Sequence, residues 1–358
     1  MRKTINIGER IIGDNQETFV TFEAGPTHNG LKSALELVNW AAKSSADAIK
    51  FQILDPERLV QDKKQIFSYS ILKEGSNESL EKKSEPLFDI LKRRTLKKEE
   101  WVEIKKYADK KNILFFATAA FFDEIDFLCE LGCHSIKIAS ADLNHYPLLE
   151  YAAKTGLTIQ IDTGMSTIGE IENAIKIINK FKNDKIIIHH CPSGYPARLE
   201  SIDLNMITTL RNLFKYPIAF SDHSPGLSMD IAAIALGANL IEKTITEDRY
   251  YKSVEHIFSL EISETNYFVK RVKEMQTALG KTNRILSKDE LNKRKSIRRS
   301  IFMKKGSKKG NKISNCQVEF RRPGYGMGPE NYDKIKDFFL NKDFDEDKIL
   351  DWKDIDFK

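Results

Sequence analysis

The sequence predicts an α/β fold: a closed (β/α)8 barrel over residues 1–280, then a small C-terminal module. Three observations predict it. Eight short apolar runs recur before residue 250, with helical patterns between them. Strict β–α alternation argues for a parallel sheet, and eight repeats is the number that closes a barrel. No run is followed by a G-x-G-x-x-G turn, which disfavours the runner-up, a doubly wound sheet.

In chain order the strands are expected at 19–25, 47–52, 113–119, 135–140, 157–164, 185–191, 217–224 and 240–246. All are nearly continuous in apolar residues, as strands covered on both faces should be. Helices are expected at 32–45, 98–111, 168–181, 228–237 and 262–280, the fourth ending on Gly237. The stretch 53–96 far exceeds the usual βα connection of about 2–6 residues. It reads either as a lid or substrate contact over the active-site face, or as a structureless surface insertion. Residues 281–297 read as a charged linker, and 298–358 as a small irregular domain of short strands and Gly/Pro turns.

Composition excludes more than it identifies. The 358 residues carry 57 Lys+Arg against 52 Asp+Glu, a net charge of +5, with 41% hydrophobic residues. That balance builds a sizeable core and is too apolar for a disordered scaffold. No apolar run approaches the roughly 20 residues of a membrane span. The start, MRKTINIGERIIGDNQ, turns polar too soon for a signal peptide. Four cysteines make no disulfide framework, so a reducing cytoplasm is the expected location. Residues 281–310 hold twelve Lys/Arg against Asp289 and Glu290, so the rest of the chain is slightly acidic. Such a stretch reads first as a solvated face or linker. Nucleic-acid binding is disfavoured because Phe302 is its one aromatic residue.

Barrel active sites lie at the C-terminal ends of the strands, where this sequence concentrates its polar residues. Glu23 closes the first strand, Lys50 and Gln52 share one face of the second, and Thr118 ends the third. Lys137, Ser140 and Asp142 lie at or past the end of the fourth, and Asp162 ends the fifth. Ser193 and Tyr195 follow the sixth, Ser221 and His223 end the seventh, and Glu242 and Lys243 lie in the eighth, before Glu255 and His256. Lysines 50, 137 and 243 are too costly to bury unless paired or used. Aimed into one cavity with hydroxyls, they suggest a bound phosphate or carboxylate. Imidazoles and carboxylates nearby suggest a divalent metal, general acid–base chemistry, or both. A Schiff-base lysine is the competing idea.

At these residues the chain resembles the N-acetylneuraminate (sialic acid) synthase family. The motifs that carry the resemblance are EAGPTHNG, IKFQ, FFATAAF, IKIASADLNHYPLL, TGMST, HHCPSGYP, SDHSPG, GANLIEKTITED and VEHIFSLE, in order and spacing. The segment RRSIF…RRPGYGMGP is similar to that family's C-terminal antifreeze-like (SAF) domain. The resemblance implies a TIM barrel and a domain-swapped homodimer. It implies a divalent metal, usually Mn²⁺, with Mg²⁺ or Co²⁺ as alternatives. The implied reaction condenses phosphoenolpyruvate with an N-acetylated hexosamine or a modified relative, giving a nine-carbon 2-keto acid and phosphate. Lys50, Thr118, Lys137, Ser140, Ser193 and Ser221 would bind phosphoenolpyruvate. Glu23, Gln52 and Tyr195 would lie near the sugar, with Glu23 an acid–base candidate. His223 would bind the metal, and Arg322 would reach into the partner's site.

Four positions depart from the family pattern: Thr244 replaces a metal-binding histidine, Asp162 a serine, Glu255 an aspartate and Asp142 a glutamate. Asp162 would stand close to the phosphate, a repulsion that needs a lysine or metal to intervene. A rearranged metal site, with Asp162, Glu255 or His256 joining His223, is one expectation; a single histidine completed by water is the other. The departures also leave open a non-catalytic or altered-specificity sugar- or anion-binding barrel.

Overall fold

The computed structural model describes residues 2–73, 79–280 and 283–357. The chain forms two compact units, residues 1–280 and 281–358. Eight parallel strands close the first unit into a barrel: β1 (Phe19–Glu23), β2 (Ala48–Gln52), β3 (Leu114–Thr118), β4 (Ser135–Ile138), β5 (Thr158–Asp162), β6 (Ile186–His190), β7 (Ile218–Asp222) and β8 (Leu240–Thr246). β8 pairs with both β7 and β1, which closes the ring. Every strand falls within its expected run.

Alternation along the strands sorts side chains into two environments. Outward residues such as Ile136, Ile138, Ile159 and Ile161 join the main core with the surrounding helices. Each fully buried side chain of this size contributes roughly 1.5–3 kcal/mol. Inward residues near the strands' N-terminal ends, including Phe19, Phe116, Ile187 and Leu240, form a second cluster. An N-terminal hairpin, Ile5–Ile7 with Arg10–Ile12, covers that end with Ile5, Ile7 and Ile12. The apolar plug leaves polar inward residues at the opposite, C-terminal end of the strands.

The 53–96 excursion is not structureless. Within its described residues, Ile66–Leu72 and Leu80–Pro86 form an antiparallel hairpin, flanked by helices Pro56–Leu59 and Leu87–Lys92. Residues 74–78 lie outside the described residues. Tyr69 and Ile71, two apart on one face, pack with Ile90 and Val254; Leu72 packs with Ile257 and Phe258. The hairpin is thereby anchored to the segment that follows β8.

In the second unit, the expected linker contains a helix, Lys288–Ile297. Its start is a capping box: Ser287 Oγ accepts from the Glu290 N–H, and the Glu290 carboxylate accepts from the Ser287 N–H. Lys281, the first residue of the basic stretch, lies outside the described residues. A small three-stranded sheet, Ser300–Met303 with Val318–Arg321 and Lys348–Ile349, surrounds a core including Ile301, Ile313, Leu340 and Leu350. Among the described residues no helix is long and apolar enough to cross a membrane.

Candidate active site

Strand register brings the inward polar residues to one level, because Glu23 pairs with Lys50, Thr118 with Lys137, Asp162 with His189 and Ser221 with Glu242. Lys50 Nζ lies 2.5 Å from Glu23 Oε2 and 2.7 Å from Glu242 Oε1. Lys137 Nζ lies 2.8 Å from Glu242 Oε2 and 2.9 Å from Asp162 Oδ1. Glu242 therefore bridges two lysines with its two oxygens. Lys137 also donates to Ser221 Oγ at 3.3 Å and to His189 Nδ1 at 3.1 Å. Because Nδ1 accepts, His189 carries its proton on Nε2, which donates to Gln160 Oε1 at 2.9 Å. Gln160 in turn donates to Ser135 Oγ at 2.9 Å, so the buried chain is satisfied throughout.

Two lysines face three carboxylates here, and the carboxyls respond differently. Burial favours protonation of Glu242, but Lys137 and Lys50 outweigh it and hold the group well below the ordinary carboxylate range. Burial also raises Glu23, and Lys50 offsets that incompletely while Glu242 adds to it. Glu23 is thus more easily protonated than Glu242. Its Oε1 accepts from the Gly25 N–H at 2.6 Å, and a Cβ on Gly25 would come within 2.6 Å of Gln52 and 2.7 Å of that oxygen. The close turn explains glycine in the EAGP segment. His189, held neutral first by burial and then by Lys137, lies well below its usual range.

Asp162 does not stand as an isolated repulsive charge: Lys137 intervenes, and Ser221 Oγ lies 3.3 Å from the same oxygen. His223 Nδ1 donates to the Pro192 carbonyl at 3.1 Å, leaving Nε2 as its acceptor nitrogen. Burial lowers the pKa of this ring despite Asp162, Asp222 and Glu242, so it is poised in the neutral form. Tyr195 packs against it with the rings tilted and their centroids 4.7 Å apart, and Phe258 completes an aromatic wall. Among the described residues no group of three or more His, Cys, Asp or Glu side chains could hold a metal ion. The ring of His256 bonds through Nδ1 to Thr246 Oγ1 at 2.8 Å and meets Tyr251. Burial raises Glu255 to about 7, against the pull of Arg94.

Gln52, Thr118, Ser140 and Asp142 are half-buried around the same end of the barrel, whereas Ser193 and Tyr195 are exposed. Ser140 Oγ accepts from the Gly164 N–H at 3.0 Å, which ties the β4 and β5 exits together. Arg322 is an exposed residue of the second unit with no ionic partner among the described residues. Lys243 corrects the expectation of three lysines in one cavity. It points away from the interior, where it pairs with Asp222 and lies 3.3 Å from Asp230 Oδ2 on helix Ser228–Ala235. Adjacent residues on a strand face opposite ways, so Glu242 inward requires Lys243 outward. Sequence reasoning also missed His189 and Gln160, although both share the inward parity of Ile187 and Asp162.

Comparisons with known proteins identify relatives that span most of the chain. A model described as the NeuB family matches residues 37–284. An uncharacterized protein of Methanocaldococcus jannaschii is 36% identical over 98% of each chain. The N,N'-diacetyllegionaminic acid synthase of Campylobacter jejuni is 31% identical, covering 94% of this chain and 99% of its own. The crystal structure of N-acetylneuraminic acid (sialic acid) synthetase from Leptospira borgpetersenii superposes with a TM-score of 0.72 at 33% identity, covering 82% of this chain and 95% of that one.

Proposed function

The chain belongs to the NeuB family, a family of nonulosonic acid synthases, and from that premise we propose that it condenses phosphoenolpyruvate with an N-acetylated hexosamine or a modified relative. The observation that carries this reading is the pair of buried lysines, Lys50 and Lys137, held on one carboxylate at the barrel's open end. A preorganised pair of ammonium groups, lined by the hydroxyls of Thr118, Ser140, Ser193 and Ser221, suits a donor bearing phosphate and carboxylate.

In the proposed chemistry, C3 of phosphoenolpyruvate attacks the aldehyde carbon of the open-chain sugar. A C–C bond forms, the aldehyde oxygen takes a proton, and C2 of the donor acquires positive character. Water adds to C2 and loses one proton; the bond from C2 to the phosphate ester oxygen then breaks as the new C2 hydroxyl gives up its proton to the departing phosphate, leaving the 2-keto acid. Lys50 and Lys137 hold the donor while charge redistributes, which lowers the barrier through positioning and electrostatics. Glu23 is the acid–base group, since it sits beside Lys50 and takes a proton more readily than Glu242. Gln52, Tyr195, Asp142 and Glu255 take the sugar side. His223 alone does not make a protein cage for Mn²⁺. A cation there would draw most of its shell from water and substrate oxygens, and no step is assigned to it. We also propose that residues 298–358 form the SAF domain and that Arg322 serves the partner's site in a homodimer.

Incubating the protein with Mn²⁺, phosphoenolpyruvate and N-acetylmannosamine, then with 6-deoxy diacetamido sugars, tests the reading. Acceptor-dependent phosphate release is expected; binding of phosphoenolpyruvate without release for any of these acceptors would sink it. That second outcome would favour an anion-binding barrel, for which the Asp162–Lys137 pair is the supporting observation. Because Asp162 competes with the donor for Lys137, Asp162→Ser is expected to tighten phosphoenolpyruvate binding by about 10-fold, or ~1.4 kcal/mol. Titration calorimetry checks this, and unchanged or weaker binding would show that Asp162 does not compete.

A further inference from the structure

Among the described residues of the barrel unit four Lys or Arg side chains are buried, and three of them, Lys50, Lys137 and Lys243, each lie within ion-pair distance of two carboxylates. The fourth, Arg94, ends the 53–96 excursion at 5% exposure and has no carboxylate within 4.0 Å among the described residues. Its Nη2 donates two long hydrogen bonds, 3.3 Å to Ser253 Oγ and 3.4 Å to the Val254 carbonyl, and its buried Nε has no partner. A buried guanidinium with five donors and two weak contacts is expensive unless something else completes it.

Its position is set by the hairpin packing on Val254. Glu255, Glu23 and Tyr195 act on Arg94 electrostatically, and Arg94 in turn acts on the rings of His28 and His256. Its hydrogen bonds to Ser253 and Val254 hold it on the segment that leads directly into Glu255, one of the groups assigned above to the sugar side. Among the described residues of the barrel unit, Arg94 is the buried cation with no carboxylate at ion-pair distance, and its unpartnered Nε leaves hydrogen-bonding capacity to spare.

We propose that Arg94 is a specificity-determining residue that binds an anionic substituent, phosphate or carboxylate, on the acceptor sugar. The inference rests on the synthase reading for the identity of the acceptor as a sugar. Guanidinium recognises both anions through paired N–H donors, and the buried site excludes the water that would otherwise weaken the contact.

Calorimetric titration of wild type with N-acetylmannosamine, its 6-phosphate and its 6-carboxylate (the uronic acid) tests the proposal. At least one acidic sugar is expected to bind about 10- to 100-fold tighter than the neutral one, and the stronger of the two identifies the substituent. Arg94→Gln keeps a polar amide at about the position of Nε but removes the charge and the terminal donors. It should abolish the preference by weakening the acidic sugars about 10- to 100-fold and the neutral sugar by much less, and Arg94→Lys should restore part of the preference. Absence of preference in wild type, or equal loss for all three sugars in Arg94→Gln, overturns the proposal. Phosphate release separates it from the synthase reading. Turnover of neutral acceptor with no acidic preference defeats only the Arg94 inference. Charge-dependent binding without turnover of any acceptor defeats only the synthase.

Discussion

Lys137→Met is expected to remove nearly all synthase activity and much of the stability of the barrel unit. The side chain is 0% exposed, and its ammonium group is the ionic partner of Asp162 and one of the two partners of Glu242. Methionine fills similar space, so packing is largely preserved and the charge effect is isolated. Removing one member of a buried ionic network strands the others, which costs about 3–5 kcal/mol. Glu242 still has Lys50, but Asp162 keeps only Ser221 and the distant ring of His189. In the reaction proposed above, the donor would lose one of its two ammonium groups, so kcat/KM should fall by roughly 10²- to 10³-fold.

A second variant separates the two effects. Lys137→Met with Asp162→Asn restores the original imbalance of one excess carboxylate in the cluster. About half of the lost stability should return, read as a denaturation midpoint, while activity stays low. If the double variant recovers activity, Lys137 acts by neutralising Asp162 and does not hold the donor. If the single variant melts like wild type, the cluster is more hydrated than its burial indicates.

Much of this site was legible because strand parity is a local property. Lys137 between Ile136 and Ile138 could face inward only with Ser135, and the structure places it so. The same rule, applied to Glu242 and Lys243 or to His189 beside His190, separates inner from outer residues. Counting polar residues per strand without parity is what put Lys243 in the cavity. The Ser287-x-x-Glu290 capping box also stood in the sequence, although the charge density around it reads as linker. Arg94 was illegible for a different reason. Its role depends on the Ile66–Leu72 strand folding onto Val254, a contact across more than 150 residues that no local pattern encodes. The charged strand Leu80–Pro86 further disguised that hairpin, because its exposed face lacks apolar alternation.

Lys243→Met provides the opposite test, a large loss of stability with no loss of chemistry. Lys243 is fully buried on the outer face of β8, where it pairs with Asp222 and donates to the Ser224 carbonyl at 2.6 Å. Asp222 also accepts from the Ser224 N–H at 2.9 Å and the Ser224 hydroxyl at 2.7 Å, fixing the turn that follows β7. Stranding Asp222 should cost about 3–5 kcal/mol, visible as a lowered chemical denaturation midpoint. Asp230 behaves differently: it lies within 3.3 Å of Lys243, yet neither of its oxygens has a well-formed hydrogen bond. Burial raises its pKa well above the usual carboxylate range, against Lys243, and the shorter ion pair leaves Asp222 as the main counterion of that lysine. Asp230→Asn should therefore shift stability by less than ~1 kcal/mol. Per folded molecule, kcat/KM of Lys243→Met should stay within about 2-fold of wild type, since the residue faces the helices and not the site. A fall comparable to that of Lys137→Met, measured at a temperature where both variants remain folded, would mean that Lys243 communicates with the interior through its strand neighbours Glu242 and Thr244.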